Sequence, residues 1–445
     1  MKQLLILGLL LTSIAGKATT YYVATNGNDG ATGTLESPWL TWQHGFSAIG
    51  AGDILYIRGG TYYPTATAFS LWGTNSVGVG INGHNGTTSN RVTVMAYPGE
   101  TPVLDCTNIV SSSTLGIVLV NCNYWHLKGL EVKHANQVPG GGAAGVWLHS
   151  CNHCTLEQLT IHHNGGSGLR VLENSEDNLI LNCDSFSNYD PYRKVPGDDA
   201  DGFEIANIPY RAGNPRINTL LGCRAWYNSD DGVDLYRNDG TMIIDSCWVW
   251  RTGYITGTST PVGDGNGLKL GKTILTDGAQ FQRIVKNCVV FSNRRNGLEQ
   301  NGANVRMYIY NNTVYDNQSG IVFYSYDLAH VFRNNASFLN IGDNYYGAHT
   351  HAVIDHNTYD RSWQPVGPVA TAADFVSVDP AGMSGPRQAD GSLPVLKFMK
   401  LAPSSGLIDV GVDVGIPYKG TAPDLGAFEY LPVAPPPGSK GQASK

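Results

Sequence analysis

Residues 223–235 read CRAWYNSDDGVDL, and the step Gly232-Val233-Asp234 within them is the pattern that decides the fold. The same step, a glycine followed by an apolar residue and then a residue of varied chemistry, recurs along the middle of the chain. Its occurrences are Gly145-Val146-Trp147, Gly168-Leu169-Arg170, Gly202-Phe203-Glu204, Gly232-Val233-Asp234, Gly267-Leu268-Lys269, Gly297-Leu298-Glu299 and Gly320-Ile321-Val322. Successive glycines are 23, 34, 30, 35, 30 and 23 residues apart. A base period near 23 residues with variable insertions is typical of a solenoid whose insertions lie in loops.

Short apolar runs, broken by Gly, Asn and Asp, fill the intervals between the glycine steps. Each repeat then carries about three short strands and lacks the crossover helix that a doubly wound α/β fold requires. We therefore predict an all-β fold, a single-stranded right-handed parallel β-helix whose coils lie about 4.7–4.9 Å apart. Apolar residues at helical spacing in residues 41–49 predict a short N-terminal capping helix over the first coil.

The two ends of the chain differ from its repeating middle. Residues 1–18 have a positively charged start, an apolar stretch and then small residues, so we predict a signal peptide and a secreted or periplasmic protein. The apolar stretch is too short to span a bilayer, and we expect no other membrane span. Residues 19–431 are predicted to form one β-helix domain that ends in a closing segment packed on the solenoid. Residues 432–445 are predicted to be a disordered tail.

The composition fits a turn-rich β protein, because the 445 residues include 54 glycines and only 15% are charged. The formal net charge is −7 and the sequence has no basic run, so we expect no nucleic-acid partner. We also expect a monomer.

The cysteines recur at one place in the repeats. That place is taken in turn by Cys183, Cys223, Cys247, Cys288, Asn312 and Asn335. Because a free cysteine behaves as a small buried hydrophobic residue, we predict an internal ladder of free thiols instead of disulfides. Whether Cys151 and Cys154 pair is left open.

Alignment of the repeats on their glycines brings polar residues into register. The third positions form one column: Glu204, Asp234, Lys269 and Glu299. The positions before the glycines form another, with Asp230 at the adjoining turn: Asp201, Asp231 and Asn266. Alternate residues of a strand share a face, and the apolar residue of each step must point inward, so the third positions point outward. We therefore predict that one exterior face gathers Asp201, Asp230, Asp231 and Asp234.

Carboxylates that lie this close together repel one another unless a cation neutralises them. Oxygen ligands alone suit Ca²⁺, which accepts roughly six to eight of them, whereas no His or Cys joins the cluster as a zinc site requires. We therefore predict a Ca²⁺ site. Asp198 and Asp199 lie just upstream and are interpreted as a solvated loop. A purely structural Ca²⁺, or acidic turns that simply face water, is the alternative.

Lys269 stands in register beside this cluster, and a lysine next to Ca²⁺ suits β-elimination from a uronic acid polymer. A Ca²⁺ ion on the uronate carboxylate stabilises charge that develops at C5, and a neutral amine takes the C5 proton. Free lysine has a pKa of about 10.4, so the base needs alkaline conditions or a lowered pKa. Ca²⁺ lowers that pKa while Asp234 and Glu299 raise it, and the sequence leaves the balance open.

The motifs around these residues resemble those of polysaccharide lyase family 9. They are residues 199–203 (DADGF), residues 223–235 quoted above and residues 263–271 (GDGNGLKLG). The resemblance implies a right-handed β-helix and Ca²⁺-dependent β-elimination of pectic polymers. Carried over by position, it implies Lys269 as the base and, as Ca²⁺ ligands, Asp201, Asp230, Asp231 and Asp234.

The resemblance implies an acidic plant polysaccharide as substrate, either polygalacturonate or the rhamnogalacturonan backbone. We assign Glu204, Asn266 and Arg294 to substrate binding. Three further arginines are candidates for contact with the polymer, with ordinary surface residues as the alternative: Arg170, Arg237 and Arg295. Glu204 lies beside the predicted metal site and disfavours a second carboxylate there, which favours rhamnogalacturonan, where a neutral sugar adjoins the reacting unit.

Two other functions stay open at this point. A β-helix glycoside hydrolase of the polygalacturonase type would use Asp230 and Asp231, or Asp234, as acid and base. The Gly-His-Gly and Arg-Ile-Lys motifs of such hydrolases do not occur in the sequence. A non-catalytic carbohydrate-binding β-helix would need the acidic turns only for a structural metal.

Overall fold

The computed structural model describes residues 18–68, 75–275, 280–347, 350–360, 363–364 and 366–432. The predicted signal peptide and the predicted disordered tail lie outside this part of the chain, apart from one residue each. Three sheets run side by side along the molecule, as the predicted all-β solenoid requires. The chain visits the first, second and third sheets in turn and then begins the next coil, so neighbouring strands of a sheet come from successive coils.

The strands are short and nearly all pair in parallel. The first sheet contains Thr20–Val23, Ile54–Ile57, Val92–Ala96, Trp125–Lys128, Thr155–Glu157, Asn178–Leu181, Ile217–Leu221, Thr241–Asp245, Gln282–Lys286, Arg306–Tyr310, Val331–Arg333 and Val353–Asp355. The second contains Gly60–Tyr62, Pro102–Asp105, Glu131–Lys133, Thr160–His162, Asp184–Phe186, Arg224–Trp226, Trp248–Trp250, Val289–Phe291, Thr313–Tyr315 and Ala336–Phe338. The third contains Thr67–Ala68, Ser76–Asn82, Thr114–Val120, Ala144–His149, Ser167–Leu172, Phe203–Ala206, Val233–Asp234, Leu268–Lys269, Asn296–Glu299, Ser319–Val322 and Tyr345–Tyr346. Thr67–Ala68 is antiparallel to its neighbour, and 3₁₀ turns occupy Cys106–Asn108 and Ala372–Asp374.

The apolar residues of the glycine steps form an interior column. Val233 pairs with Phe203 on one side and with Leu268 on the other, and each is at most 1% exposed. Close packing explains the glycine that precedes them, because a Cβ on Gly232 would lie 2.2 Å from Cγ1 of Val249 in the second sheet. The recurring glycine therefore marks the place where the third sheet comes nearest to the second.

The helix Trp42–Ala48 covers the N-terminal end of the solenoid, as predicted. The side chain of Thr41 caps it by accepting a hydrogen bond from the backbone N–H of His44. Phe46 is fully buried, and its ring centroid lies 5.7 Å from that of Trp125. No helix among the described residues has the length and apolar character needed to cross a bilayer.

All eight cysteines are free and buried, so the prediction of unpaired thiols is confirmed, and it extends to Cys151 and Cys154. Asparagine continues the ladder beyond the last cysteine. The backbone N–H of Cys288 donates to Oδ1 of Asn312 at 3.0 Å, and Nδ2 of Asn312 donates to Oδ1 of Asn335 at 3.0 Å. The ladder therefore satisfies buried backbone groups at the turn between the first and second sheets.

The closing segment, residues 366–432, packs along the outer face of the second sheet. The ring centroid of Phe398 lies 4.9 Å from that of Phe291. Nη2 of Arg387 lies 2.7 Å from Oδ1 of Asp184, which fixes the segment to a neighbouring part of the same sheet. The third sheet, with the residues predicted to carry the chemistry, lies on another side of the solenoid.

Candidate active site

Four charged residues of the third sheet stand side by side on consecutive coils. In the parallel register, Glu204 pairs with Asp234, Asp234 with Lys269, and Lys269 with Glu299. The register predicted from the glycine spacing is therefore confirmed. Because their apolar neighbours fill the interior, the four side chains leave the strands on the opposite face.

A ladder of hydrogen bonds fixes the residues that precede the glycines. Oδ1 of Asp201 accepts from the backbone N–H of Asp231 at 3.1 Å, and Oδ1 of Asp231 accepts from that of Asn266 at 2.6 Å. Oδ1 of Asn266 accepts from the backbone N–H of Asn296 at 3.2 Å. Asn266 is 1% exposed and its Nδ2 also donates to Asp231. It therefore supports the acidic cluster, and its assignment to substrate binding stays a prediction.

Carboxylate oxygens of Asp201, Asp230 and Asp231 lie within 4.8 Å of one another, whereas Asp234, the fourth predicted member, lies outside this group. Although they lie on the exterior side of the sheet, these residues are only 2%, 4% and 0% exposed. The inserted loop at residues 251–266 covers them. Its Gly263 has a φ of 53°, and a Cβ there would lie 3.0 Å from Cα of Asp230. Only glycine fits a backbone that approaches this closely in this conformation.

The ammonium group of Lys269 lies close to the carboxylates of the acidic cluster. Its Nζ lies 2.8 Å from Oδ2 of Asp231 and 3.4 Å from Oδ2 of Asp234. A third carboxylate, Asp264, lies 3.6 Å away. Burial lowers the pKa of Lys269, but Asp231 and the other carboxylates outweigh burial and raise that pKa far above its ordinary value. With these carboxylates ionised and no cation among them, Lys269 is therefore charged.

Burial and mutual repulsion disfavour the ionised aspartates. Burial, and after it the charge of Asp230, raises the pKa of Asp201 well above its ordinary value. Burial and the charge of Asp231 raise the pKa of Asp230 to about 9. Burial raises the pKa of Asp234 to about 7, although the Lys269 ammonium opposes the shift. One ammonium does not balance these carboxylates, so the cluster favours the uptake of protons or of a cation.

The residues present fit a calcium ion. Oδ1 of Asp234 is buried and has no hydrogen-bond partner among the described residues. A buried carboxylate oxygen in that state costs free energy unless a cation or proton approaches it. The nearby donors are carboxylate oxygens, which Ca²⁺ prefers. The residues that would hold the ion are Asp201, Asp230, Asp231 and Asp234.

Glu204 belongs to a paired group at one side of the cluster. Its Oε2 lies 2.5 Å from Nε of Arg170 and accepts a hydrogen bond from Oγ of Ser167 at 2.9 Å. Arg170 also lies 3.3 Å from Asp199, and its guanidinium lies 5.5 Å from the ring centroid of Trp147. The charge of Glu204 is therefore neutralised locally. The charge of Glu204 beside the predicted metal site is therefore a weaker argument for rhamnogalacturonan than the sequence alone suggests.

The adjacent residues Arg294 and Arg295 differ in their contacts. Nη1 of Arg294 donates to backbone oxygens of Gly263 and Asp264, so this guanidinium holds the covering loop, and its assignment to substrate binding stays a prediction. The Arg295 side chain is 51% exposed, and its Nη1 lies 3.0 Å from Oδ1 of Asp264. Sequence reasoning does not find Asp264 as a site residue, because the glycine register does not determine the path of an inserted loop. Its only signal is its place between Gly263 and Gly265.

Comparison with known proteins agrees with this architecture. Residues 21–344 match the family described as "Pel9A-like, right handed beta helix region". "Pectate lyase L" of Dickeya dadantii (strain 3937) is 32% identical over 427 residues, which cover 94% of this chain and 92% of that protein. "Pectate lyase L" of Paenibacillus polymyxa (strain SC2) is 35% identical, with 88% of this chain and 84% of that protein covered.

Solved structures extend the comparison to three dimensions. The crystal structure of pectate lyase Pel9A matches with a TM-score of 0.76 and 30% identity, over 93% of this chain and 96% of that one. A structure described as "Rhamnogalacturonan lyase" matches with a TM-score of 0.70 over 87% of this chain and 97% of that one. At 24% identity, the second likeness concerns the fold alone.

The fold, the matched length and these relatives together define a polysaccharide lyase built on a right-handed parallel β-helix. Within that class, the chain belongs to the Pel9A-like right-handed β-helix family. The resemblance of its motifs to polysaccharide lyase family 9, and the handedness predicted for the solenoid, are thereby confirmed.

Proposed function

We propose that this protein cleaves galacturonate-containing pectic polymers by β-elimination, with Ca²⁺ held by the four aspartates and Lys269 as the base. The observation that carries the proposal is the position of the Lys269 Nζ, 2.8 Å from the buried carboxylate of Asp231. Asp231 is also one of three aspartates whose oxygens lie within 4.8 Å of one another. An amine beside an oxygen-lined cation site is the pair that elimination next to a uronate carboxylate requires.

Each group has one task in the reaction. Ca²⁺ held by Asp201, Asp230, Asp231 and Asp234 would supply the positive charge that stabilises the charge developing at C5. The Lys269 amine takes the proton from C5, the electron pair of that C–H bond forms the C4–C5 double bond, and the C4–O4 bond breaks. The departing oxygen takes a proton from solvent. Lys269 must be neutral to accept a proton, so the carboxylates that hold it as an ammonium have to be neutralised first.

The substrate proposed first is polygalacturonate. Relatives at 32% and 35% identity, and a solved structure at 30%, are described as pectate lyases. The paired state of Glu204 weakens the argument for a neutral sugar next to the reacting unit. Rhamnogalacturonan is the alternative polymer. We further propose that the protein is secreted or periplasmic, on the basis of the apolar N-terminal stretch of the sequence. That it is a monomer stays a prediction.

Ultraviolet absorbance of the products tests this function directly. The purified protein is incubated with polygalacturonate and with rhamnogalacturonan, each with added calcium and each with a chelator. We expect absorbance from the C4–C5 double bond that grows with calcium and stops with the chelator. New reducing ends without absorbance would indicate the hydrolase alternative, and binding without any cleavage would indicate the carbohydrate-binding alternative.

A further inference from the structure

We propose that Arg295 forms a subsite for the carboxylate of a second galacturonate, next to the one that reacts, and so selects polygalacturonate over rhamnogalacturonan. This inference rests on the proposed function and adds to it a residue that determines specificity. The predicted substrate is a polyanion, and the acidic cluster alone would repel it. A cation placed beside the cluster is therefore needed where a neighbouring sugar also carries a charge.

Arg295 stands in the same register column as Asp230, two coils farther along. The backbone N–H of Arg295 donates to the backbone oxygen of Gly265 at 2.9 Å. Gly265 immediately precedes Asn266, and Asp230 immediately precedes Asp231. Because Asn266 and Asp231 are neighbours in the hydrogen-bond ladder, Gly265 and Asp230 occupy equivalent positions on adjacent coils. Since coils lie about 4.8 Å apart, the backbones at Asp230 and Arg295 are roughly 10 Å apart along the axis. A polymer that runs along the coils over the cluster also passes Arg295.

The charge of Arg295 is available to a ligand. Its side chain is 51% exposed, and its one ion pair within the described residues is with Asp264. Asp264 interacts with a second cation as well, because its Oδ2 lies 3.6 Å from Nζ of Lys269. Asp264 therefore holds Arg295 beside the reacting amine without neutralising it fully.

The other arginines near the cluster are engaged elsewhere. Their partners are Glu204 and Asp199 for Arg170, Asp190 and Asp199 for Arg193, and the backbone oxygens of Gly263 and Asp264 for Arg294. The Arg170 side chain is 10% exposed, compared with 51% for Arg295. Arg193 is 42% exposed, but two carboxylates pair with it, so partial pairing and the place in the register distinguish Arg295 as the arginine that a polymer meets.

The chemistry of a guanidinium decides which polymer benefits. A planar guanidinium binds a carboxylate through two parallel hydrogen bonds, and such charge-assisted bonds are about twice as strong as neutral ones. The sugar next to a reacting galacturonate carries a carboxylate in polygalacturonate, whereas in rhamnogalacturonan it is a rhamnose without charge. Arg295 therefore contributes to binding of the first polymer and adds little to binding of the second.

Initial rates of Arg295→Gln and Arg295→Lys on both polymers, at saturating calcium, test this inference. We expect R295Q to raise KM for polygalacturonate about tenfold, which corresponds to about 1.4 kcal/mol, and to change kcat less. R295K keeps the charge but not the two parallel hydrogen bonds, so it should recover only part of the loss. Rates on rhamnogalacturonan should stay within about twofold. Arg306→Gln is the matched control, because Arg306 is an exposed arginine on the first sheet.

The outcomes separate this inference from the proposed function. An unchanged KM in R295Q, or an equal loss on both polymers, overturns the subsite and leaves the lyase intact. A wild-type protein that forms unsaturated product only from rhamnogalacturonan does the same. No unsaturated product from either polymer with calcium overturns the proposed function itself, and the subsite with it.

Discussion

Lys269 has two electrostatic roles, which two measurements on one substituted protein distinguish. In the proposed reaction it is the base, and in the structure its ammonium offsets part of the charge of Asp231 and Asp234. Lys269→Met keeps the length and removes both roles. We expect kcat on polygalacturonate to fall by at least about a hundredfold, which is the lower range for loss of a general base. Calcium affinity should stay equal or rise, because a competing positive charge is gone.

Calcium titration by calorimetry, together with product absorbance, checks both parts of this expectation. Lys286→Met is the control, since Lys286 pairs with Asp245 on the first sheet, away from the cluster. Retained activity in K269M would mean that the base is another group. Loss of calcium binding together with activity would mean that Lys269 only maintains the structure of the cluster.

The raised carboxyl pKa values predict how stability depends on pH. Asp234, with a pKa of about 7, and Asp230, with a pKa of about 9, hold protons in the native state at pH values where the unfolded chain has lost them. Without calcium, the free energy of unfolding should therefore fall as pH rises from about 4 to about 9. Calcium needs the ionised carboxylates, so the stabilisation that it adds should grow over the same window.

Melting temperatures in chelator and in calcium, at about pH 5 and about pH 9, measure this dependence. We expect the calcium-induced increase to be several degrees larger at the higher pH. In the double variant Asp230→Asn and Asp234→Asn, the decline of the chelator curve should be flatter. A chelator curve that rises with pH would contradict the assignment of protonated carboxyls to the native cluster.

The sequence predicts the site residues whose positions are fixed by the glycine register. The positions of Asp201, Asp231 and Lys269 follow from counting residues from the glycines, because a solenoid repeats the same backbone path in each coil. Asp264 does not follow in this way, and for Arg295 the register gives the position of the backbone but not the direction of the side chain. Asp264 lies in an inserted loop, and the side chain of Arg295 is oriented by that loop. The burial of the cluster cannot be predicted from the sequence either, because the same inserted loop produces it.

At the scale of elements, the glycine steps are packing constraints. A Cβ on Gly145 would lie 2.4 Å from Cγ2 of Ile161 in the second sheet, whereas a Cβ on Gly142 meets nothing within 4 Å. Gly145→Ala forces side chains or backbone to shift, at a cost of about 1–3 kcal/mol. Gly142→Ala should be neutral or stabilise by about 0.4–1 kcal/mol, since it only restricts the unfolded chain.

Denaturant unfolding of the two variants, only three positions apart, measures this difference directly. Equal effects would mean that the recurring glycine serves the turn and not the approach of the two sheets.

The same reasoning explains why the strands could be predicted from the sequence. Each coil has to place a small residue where two sheets meet, so the glycine gives the phase of the strand that follows it.

At the scale of the whole molecule, the path of the closing segment is the least predictable part of the fold. Its sequence contains no repeat that fixes its place in a coil. The solenoid offers it an aromatic surface on the second sheet, where Trp226 stacks on Trp250 with ring centroids 4.9 Å apart. Contacts between residues this distant in sequence become visible only when the coils are assembled. Packing on the solenoid was predicted, but the sheet that receives the segment was not.

This arrangement predicts that the closing segment can be detached while the solenoid stays folded. Phe398 is 3% exposed and packs against Phe291, so Phe398→Ala removes an anchor worth about 3–5 kcal/mol. A solenoid is stabilised mainly by contacts between neighbouring coils, so the loss should act first on the segment. We expect faster proteolysis within residues 366–432 and nearly unchanged kcat, because the described contacts of Phe398 lie on the second sheet and the acidic cluster adjoins the third.

Val395→Ala, in the same segment but 78% exposed, is the control and should leave proteolysis unchanged. Loss of activity in step with proteolysis of F398A would instead show that the segment and the solenoid fold as one cooperative unit.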